Sequence, residues 1–461
     1  MQKIFIGLWL LGVCFLHTSC EKLLDKEPSD KLSNEATFAD IDGARTALVG
    51  AYSSLLTTEL YHVNRMVYPD LASGNLQFSK TTNVKMMDIY SFLQDAESSS
   101  MNATYSKAYN VLTNINNILT AVEKFDSTNL VVKRIKAEAK CIRALLHFDL
   151  VKLFARPYSY TPDASHDGIV VNLKPRFYND PLPVRSTVKE TYDAIIQDLR
   201  EALVLFTSTN GIISNGYVQN TFNFTSAASL LAKVYLYKSD WDNAYTYADQ
   251  VIRSSTYTLM TRAQYVASWT NKTPSAESIF ELNLEATFAG TTLGTYYGDN
   301  GSDQQYAATD DLMNIYSATD IRGRSSLFIP KGNYYFTGKY TGVSTKATPI
   351  KVLRLSDMYL IRAEAAAHKN DLLQAGKDFD AISMRADANL TATSFSSPQQ
   401  AIDAILLERR KEFAFEGEYM FDRARYKLGV RNIAFTDYRM VLPIPKASTN
   451  VNPQLKQNDD Y

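Results

Sequence analysis

The sequence lacks a hydrophobic run long enough to cross a bilayer. Its most apolar stretch, "IFIGLWLLGVCFL", extends from Ile4 to Leu16 and has about thirteen residues where roughly twenty are needed. Lys3 precedes it, and the small residues Thr18 and Ser19 follow it. This pattern is typical of a signal peptide, which we place at residues 1–19, and it excludes a membrane-spanning anchor at this position.

Cysteine is also scarce, being limited to Cys14, Cys20 and Cys141. Cys20 follows the small residues in a context that resembles a bacterial lipobox, in which the first mature cysteine is acylated, although His17 departs from the usual small or aliphatic residue. An ordinary signal peptide with a coincidental cysteine is the alternative. Two or three acyl chains on Cys20 would anchor the protein stably. Only Cys141 then remains, which excludes an internal disulfide.

An excess of one charge is missing, because 48 Lys and Arg residues face 49 Asp and Glu residues. Nucleic-acid binding proteins need a basic excess for the phosphate backbone, so this class is disfavoured. Tryptophan is rare as well, with Trp9, Trp241 and Trp269 alone, whereas tyrosine and phenylalanine reach 29 and 22 residues. So many tyrosines predict that a number of them lie on loops or surfaces.

Amphipathic helical patterns recur along the chain and predict a mainly α fold. The clearest unit, Ser226–Ile252, is a small-residue helix, a polar turn and an aromatic helix, which resembles a tetratricopeptide repeat. Similar pairs are predicted for Lys136–Phe154 with Glu190–Phe206, for Val352–Ala386 and for Ala401–Gly429. Residues 207–225 and about 255–350 fit no repeat, so we expect function to lie there.

Several separated strings resemble the SusD/RagB family of outer-membrane nutrient-binding lipoproteins. They are "SCEKLLDKEPSD", "FADIDGARTALVGAYSSL", "AEAKCIRALLHFDLVKLFA", "DWDNAYTYADQVI", "RLSDMYLIRAEA", "LLERRKEFAFEGEYMFDRARY" and "VLPIPKASTNVNPQLKQNDDY", in the family's order. The resemblance implies a SusD-like fold with tetratricopeptide-like pairs and a loop-rich binding face. It also implies that residues 20–225 and 226–461 form the N- and C-terminal portions of one compact unit.

The same resemblance implies a role without catalysis. A protein of this family is expected to be lipid-anchored on the extracellular side of the outer membrane, to capture a glycan, and to deliver it to a SusC-like TonB-dependent transporter. We favour an oligosaccharide as ligand, with a peptide as the alternative within the family. A scaffold whose repeats hold another protein's peptide tail is a further interpretation, compatible with ligand capture, and a surface glycoside hydrolase is a third class.

Two loops offer the residue types that a sugar site needs, namely flat rings for the C–H faces and amides or carboxylates for the hydroxyls. The first loop contributes Tyr61, Tyr68, Asp70, Asn75 and Phe78. The second contributes Tyr296, Tyr297, Asp299, Asn300, Gln304 and Tyr306, and Trp269 is a further candidate. Packing beneath a loop is the alternative for each ring. Because tryptophan offers the largest stacking face, its scarcity favours short glycans over a long-polysaccharide platform.

Other constellations are interpreted as structural. Glu408, Glu412 and Glu416 stack on one helical face and predict an ion network instead of a glycosidase pair, which must flank a sugar cleft. Nearby arginines in the sequence are Arg409, Arg410 and Arg423. The histidines lack zinc-site spacing, so no cofactor is expected. Asp299, Asn300 and Asp303 leave a structural calcium site as an alternative. Cys141 is predicted to be a core residue.

Overall fold

The computed structural model describes residues 34–177, 179–207, 218–269, 275–283, 292–298, 303–340 and 348–461. Helices dominate these residues, which confirms the mainly α prediction. The main hydrophobic cluster extends from Ala44 to Leu455 and so includes residues from both halves of the sequence. The division at residues 225 and 226 stays a prediction.

The N-terminal part of the described chain consists of five helices and one short strand. They are α1 (Asn34–Thr37), α2 (Ile41–Leu55), α3 (Asn64–Ser73), α4 (Met87–Tyr90) and α5 (Asn102–Ala121), with β1 (Leu76–Phe78) after α3. The Asp40 carboxylate accepts the Gly43 N–H at 2.8 Å and caps α2. The buried face of α2 consists of Ala44, Leu48, Ala51 and Leu55, spaced by three or four residues.

Two pairs of packed helices follow. Helices α6 (Leu130–Phe154) and α7 (Val188–Phe206) pack together, as do α8 (Phe224–Lys238) and α9 (Trp241–Arg253). Ser239 ends α8 in the left-handed conformation, with φ of 60°, and Asp240 caps α9, so the chain turns sharply between the two helices. Both predicted pairs are therefore confirmed. Cys141 lies on α6 with no exposed surface, as predicted.

The irregular region contains short elements. They are α10 (Arg262–Ser268), β2 (Ser278–Leu282), α11 (Leu293–Tyr297), β3 (Tyr306–Ala308), α12 (Asp310–Asn314), β4 (Phe328–Lys331), β5 (Tyr334–Thr337) and β6 (Ile350–Arg354). Among the described strands, β1 pairs with β3, β2 with β6 and β4 with β5, each time antiparallel. No repeat helix pair occurs in the described parts of 255–350, in agreement with the sequence pattern.

The C-terminal helices complete the stack. They are α13 (Leu355–His368), α14 (Leu372–Ala386), α15 (Pro398–Glu412), α16 (Tyr419–Arg425) and α17 (Lys446–Val451). Helix α13 packs on α9 and pairs with α14, which confirms the third predicted pair. The fourth pair differs, because α16 is short and packs against α3 as well as α15. The C-terminal end of the stack is thereby joined to the N-terminal helices.

Candidate functional site

The two loops singled out in the sequence meet in the structure. Strand β1 pairs with β3 so that Phe78 lies opposite Tyr306, and their ring centroids are 5.7 Å apart. Thr309 donates its backbone N–H to the Asn75 carbonyl at 3.0 Å and extends this pairing. Segments that are more than 200 residues apart in sequence therefore form one face, which we call the loop face: residues 61–103 together with 292–298 and 303–309.

Most of the predicted ligand-binding rings do not point outward from the loop face. Tyr61 and Tyr68 are each 2% exposed, Tyr296 is 3% exposed, and Tyr297 and Tyr306 have no exposed surface. The expectation of an exposed stacking face made from these rings is wrong. The physical reason is that the rings pack on one another and on the core, as the packing alternative stated.

Tyr297 illustrates this packing. Its ring lies 6.0 Å from that of Tyr306, 6.3 Å from Tyr340 and 5.3 Å from Phe415. Burial places its pKa well above the usual tyrosine value, because the phenolate could not be solvated there. A tyrosine enclosed in this way contributes to the hydrophobic core.

Trp269 is fully buried too, and the structure places it away from solvent among cations. The charged ends of Lys339, Lys351 and Arg354 lie 4.7, 4.5 and 5.5 Å from its ring centroid. These distances are typical of cation–π contacts. The ring thus stabilises buried positive charge, and the expectation that it offers a stacking face is wrong.

The polar candidates of the first loop are buried as well. The Asp70 carboxylate accepts the Asn75 side-chain amide at 2.7 Å and the Gly417 N–H at 3.0 Å. Asn75 in turn accepts Arg410 Nε at 2.9 Å. Burial raises the pKa of Asp70 to about 7, although both hydrogen bonds act to lower it. These two side chains hold α3 to the segment after α15, and they are not available to a ligand in this conformation.

Phe78 and Gln304 keep partial exposure and remain candidate contacts. Gln304 donates to the Gly298 carbonyl and accepts Lys331 Nζ, each at 2.8 Å. Asp299 and Asn300 lie outside the described residues. Asp303, the third residue of the calcium alternative, is paired with Lys80 and accepts Gln305 Nε2 at 2.6 Å. Among the described residues, no group of three acidic, histidine or cysteine side chains could hold a metal ion. A calcium site that includes the other two residues stays a prediction.

An open cleft of about 390 Å³ lies beside these loops, and we call it the first cleft. Its polar lining comes from the turn between α2 and α3, from the start of α3 and from the residues between β1 and α5: Thr58, Glu59, Asn64, Lys85, Asp88 and Ser100. Met86 and Met87 supply apolar surface. Sequence reasoning missed these residues, although the long polar segment 79–101 was a signal, since loops of that length are often functional.

The first cleft is attached firmly to the loop face. Lys85 donates its backbone N–H to Gln305 Oε1 at 2.7 Å, and its carbonyl accepts the Tyr306 hydroxyl at 3.0 Å. The Lys85 ammonium lies 5.2 Å from the centroid of the Tyr296 ring. On the other side, the Asp88 carboxylate accepts the Ser100 N–H at 2.9 Å. These contacts hold the Lys85 backbone and the Asp88 carboxylate in place.

The backbone of this segment is unusual. Asn83, Met86 and Phe92 have φ values of 54°, 62° and 54°, in the left-handed region that bulky residues rarely adopt. Such conformations cost free energy and persist where the surrounding contacts impose them, often at ligand sites. Met86 lines the first cleft, and Asn83 and Phe92 lie in the same segment, so we take the first cleft as the candidate binding site of the loop face.

Glu408 and Glu412 of α15 and Glu416 beyond its end form an ion network, as predicted, but the helix ends at Glu412, so the three carboxylates do not share one helical face. Glu412 contacts Arg354, Arg385 and Arg322 at 2.9, 2.7 and 2.9 Å. Glu408 contacts Arg322, and Glu416 contacts Arg354 and Lys339. The partners come from distant elements and not from the neighbouring arginines in sequence, because Arg409 turns to Asp357 and Asp422. All three glutamates are buried among cations, without the sugar cleft that a glycosidase pair requires.

Two family models match adjoining parts of the chain. The model described as "SusD family" matches residues 215–434. A second, described as "Starch-binding associating with outer membrane", matches residues 22–236. The chain belongs to the SusD/RagB family. The proteins of this family bind nutrients, and the second description associates them with the outer membrane.

Individual SusD relatives are similar over most of their length. A SusD-like protein of Bacteroides ovatus is 24% identical over 490 aligned positions, covering 91% of this chain and 83% of that protein. A SusD superfamily structure from Bacteroides thetaiotaomicron has a TM-score of 0.81 and 25% identity, covering 91% of this chain and 99% of the other. A SusD-like carbohydrate binding protein from Bacteroides vulgatus shares the fold, with a TM-score of 0.77. It is 19% identical, and the alignment covers 90% of this chain and 97% of the other.

The acylation site predicted from the sequence is not tested by the described structure. Cys20 lies outside the described residues. Within the residues that the structure describes, no helix is both long and apolar enough to span a membrane.

Proposed function

We propose that the protein captures a neutral oligosaccharide at the first cleft and delivers it to a SusC-like TonB-dependent transporter. The observation that carries this proposal is the cleft itself, a preformed polar recess on the one face where both predicted loops meet, in a family whose matching model is described as starch-binding. Binding without chemical conversion agrees with the burial of Glu408, Glu412 and Glu416 in an ion network.

The lining of the first cleft suits a sugar. Glu59 and Asp88 offer carboxylates, Lys85 offers an ammonium group and Asn64 an amide, so donors and acceptors both face the recess. Sugar hydroxyls act as donors and acceptors together, which such a mixed lining can match. Phe78 on β1 of the loop face is partly exposed and offers an apolar ring, although it does not line the first cleft itself. A volume of about 390 Å³ falls in the range of roughly 300 to 1,000 Å³ typical of small-ligand pockets.

Delivery requires that the protein stays at the outer membrane. Acylation of Cys20 would tether the folded part through residues 21–33, facing the extracellular side. Two or more acyl chains give the stable attachment that a single chain does not. The transporter partner then receives the ligand by direct contact with the ligand-bound protein.

Calorimetry with neutral hexasaccharides tests the binding proposal. The probes are α-1,4-glucan, β-1,4-glucan, β-1,4-xylan and β-1,4-mannan oligomers, titrated into the purified full chain in detergent. The variant Glu59→Ala/Lys85→Ala removes one anion and one cation from the first cleft. The matched control Asp42→Ala/Arg45→Ala removes an exposed ion pair of α2. Hydrogen bonds to charged groups contribute about 1.5–3 kcal/mol, so the cleft variant should bind at least about tenfold more weakly.

The same titrations separate the two ligand classes. Binding of a neutral oligosaccharide should hardly change between low and high salt, whereas capture of a charged peptide should weaken as salt rises. Equal affinity of the wild type and the cleft variant for every probe would contradict the assignment of the first cleft. Binding of charged peptides alone, with strong salt dependence, would support the peptide alternative instead.

A further inference from the structure

A second open cleft, of about 280 Å³, lies between the chain that follows α6 and the C-terminal segment. One wall is formed by residues 156–167 and the other by residues 438–459. Neither wall shares a residue with the first cleft. We call this recess the tyrosine cleft, because Tyr160 lines one wall and Tyr438 lines the other.

The rings of the tyrosine cleft are exposed, unlike those of the loop face. Tyr160 is 37% exposed. The centroid of its ring lies 5.3 Å from that of the His166 ring, with an interplanar angle of 66°. The Arg156 guanidinium lies over the Tyr160 ring, 5.1 Å from its centroid. Tyr438 is partly exposed, and its ring packs edge-on against Tyr461 at 4.8 Å and 81°. Both rings are thus held by neighbours while part of their surface stays open to solvent.

The walls of the cleft are held together by hydrogen bonds. Arg156 Nη1 donates to the Phe435 carbonyl at 2.8 Å. Asn458 Nδ2 donates to the carbonyls of Phe154 and Leu442 at 2.9 and 2.7 Å. At the rim, Lys456 Nζ contacts Asp167 Oδ2 at 2.6 Å. A recess fixed in this way loses little conformational freedom when a ligand binds.

The charges that line the cleft balance. Arg156 and Lys456 are opposed by Asp167 and Asp459. His166 adds no charge, because burial lowers its pKa from the usual value. Both of its ring nitrogens are engaged, Nδ1 with Thr161 Oγ1 at 2.9 Å and Nε2 with the Arg156 carbonyl at 3.2 Å. The imidazole is therefore not free to coordinate a metal ion, and the balanced lining favours a neutral ligand.

We propose that the tyrosine cleft is a second carbohydrate site, which binds one end or one short stretch of a neutral oligosaccharide. The exposed rings cover the apolar C–H face of a sugar, and the rim carboxylates and ammonium group of Asp167, Asp459 and Lys456 bind its hydroxyls. The recess is just below the usual size of small-ligand pockets, which fits a short stretch and not an extended platform. This inference rests on carbohydrate binding as the function, but not on the first cleft.

The experiment compares four forms of the full chain with the same four neutral hexasaccharides: wild type, Tyr160→Ala/Tyr438→Ala, Glu59→Ala/Lys85→Ala, and both pairs combined. Phe177→Ala is the matched control, because Phe177 is an aromatic residue that is 75% exposed outside both clefts. Each ring should contribute about two- to tenfold in affinity, borrowing the strength of aromatic pairs. Hydrogen–deuterium exchange of residues 156–167 and 435–461 gives an independent readout.

We expect the variant Tyr160→Ala/Tyr438→Ala to bind more weakly than the wild type and the control Phe177→Ala to bind equally well. We also expect the ligand to protect residues 156–167 and 435–461 from exchange, and this protection should persist in Glu59→Ala/Lys85→Ala. Loss confined to the tyrosine variant would support this cleft and overturn the first. Loss confined to Glu59→Ala/Lys85→Ala, without protection of 156–167, would overturn the tyrosine cleft and leave the first in place. If the wild type binds none of the neutral probes, both sites are overturned.

Discussion

Arg354 Nη1 lies 2.9 Å from Glu412 Oε1, and both side chains are buried. The contact joins the end of β6 to the end of α15, 58 residues apart in sequence. Burial alone would raise the pKa of Glu412, but Arg385, Arg354 and Arg322 outweigh it and hold the pKa well below the usual value. Glu412 is therefore ionised at neutral pH and serves as the common anion of three arginines.

Replacing this anion should destabilise the protein. In Glu412→Gln the three arginines keep their positive charges and lose the central countercharge, and breaking a buried pair in this way costs about 3–5 kcal/mol. We expect a lower denaturation midpoint in urea, with the slope of the transition unchanged.

Asp403→Asn is the matched control, because Asp403 is an exposed acid on the same helix. Its effect should stay within about 0.5 kcal/mol. A Glu412→Gln variant as stable as the wild type would show that the network is not what holds this region. Lost turnover of a glycan in such a stable variant would favour an enzyme.

Tyr61→Phe distinguishes a structural tyrosine from a ligand contact. The Tyr61 hydroxyl donates to Asp149 Oδ2 at 2.5 Å inside the core. Removing it should lower the free energy of unfolding by about 1.5–3 kcal/mol, as for other hydrogen bonds to charged groups. Oligosaccharide affinity should not change, because the ring is 2% exposed.

Thermal melting and calorimetry of Tyr61→Phe check both points, with Tyr334→Phe, a half-buried tyrosine of β5, as the control. If Tyr61→Phe is as stable as the wild type but binds the oligosaccharide more weakly, Tyr61 is a ligand contact and not a structural residue.

Asp70 predicts a pH-dependent contribution to stability. Its pKa is raised to about 7 in the folded protein, against about 3.9 when unfolded. The folded state therefore binds the proton more tightly, so this contribution is fully present below pH 4 and is lost as the pH rises through 7. At about 1.4 kcal/mol per pKa unit, the loss reaches about 4 kcal/mol.

Urea denaturation of wild type and Asp70→Asn between pH 4 and pH 8 isolates this contribution, since the amide does not titrate. The stability of Asp70→Asn relative to the wild type should rise with pH across that window. A constant difference between the two proteins would mean that Asp70 is ionised throughout, with Asn75 and the Gly417 N–H stabilising the carboxylate.

Cys20→Ala tests the proposed anchor. Labelled palmitate should enter the wild type and not the variant, and the variant should leave the membrane fraction. Cys141→Ala is the matched control, because Cys141 is buried in α6 and cannot be acylated in the folded protein. Equal labelling of wild type and Cys20→Ala would contradict lipidation at this position.

The sequence determined most of the helices and three of the four predicted pairs, because these depend largely on local patterns, whereas α16 packs on the distant helix α3. Apolar residues three and four positions apart define the buried face of α2, and the turn at Ser239 and Asp240 specifies the hairpin of α8 and α9. The ion network of Glu408, Glu412 and Glu416 was also predictable in kind, since acidic side chains at four-residue spacing need countercharges, although the helix ends before Glu416. Its actual partners were not, because Arg322, Arg354 and Arg385 reach Glu412 only through the tertiary fold.

Only the tertiary structure decided which aromatic rings face solvent. Tyr297 was predicted as a ligand-binding ring and Tyr160 was not singled out, yet the first has no exposed surface and the second is 37% exposed. The difference arises from long-range contacts: Phe415 and Tyr340 enclose Tyr297, whereas the C-terminal segment leaves a recess beside Tyr160. Burial depends on which distant segments pack together, and that information is not contained in the local spacing of residues.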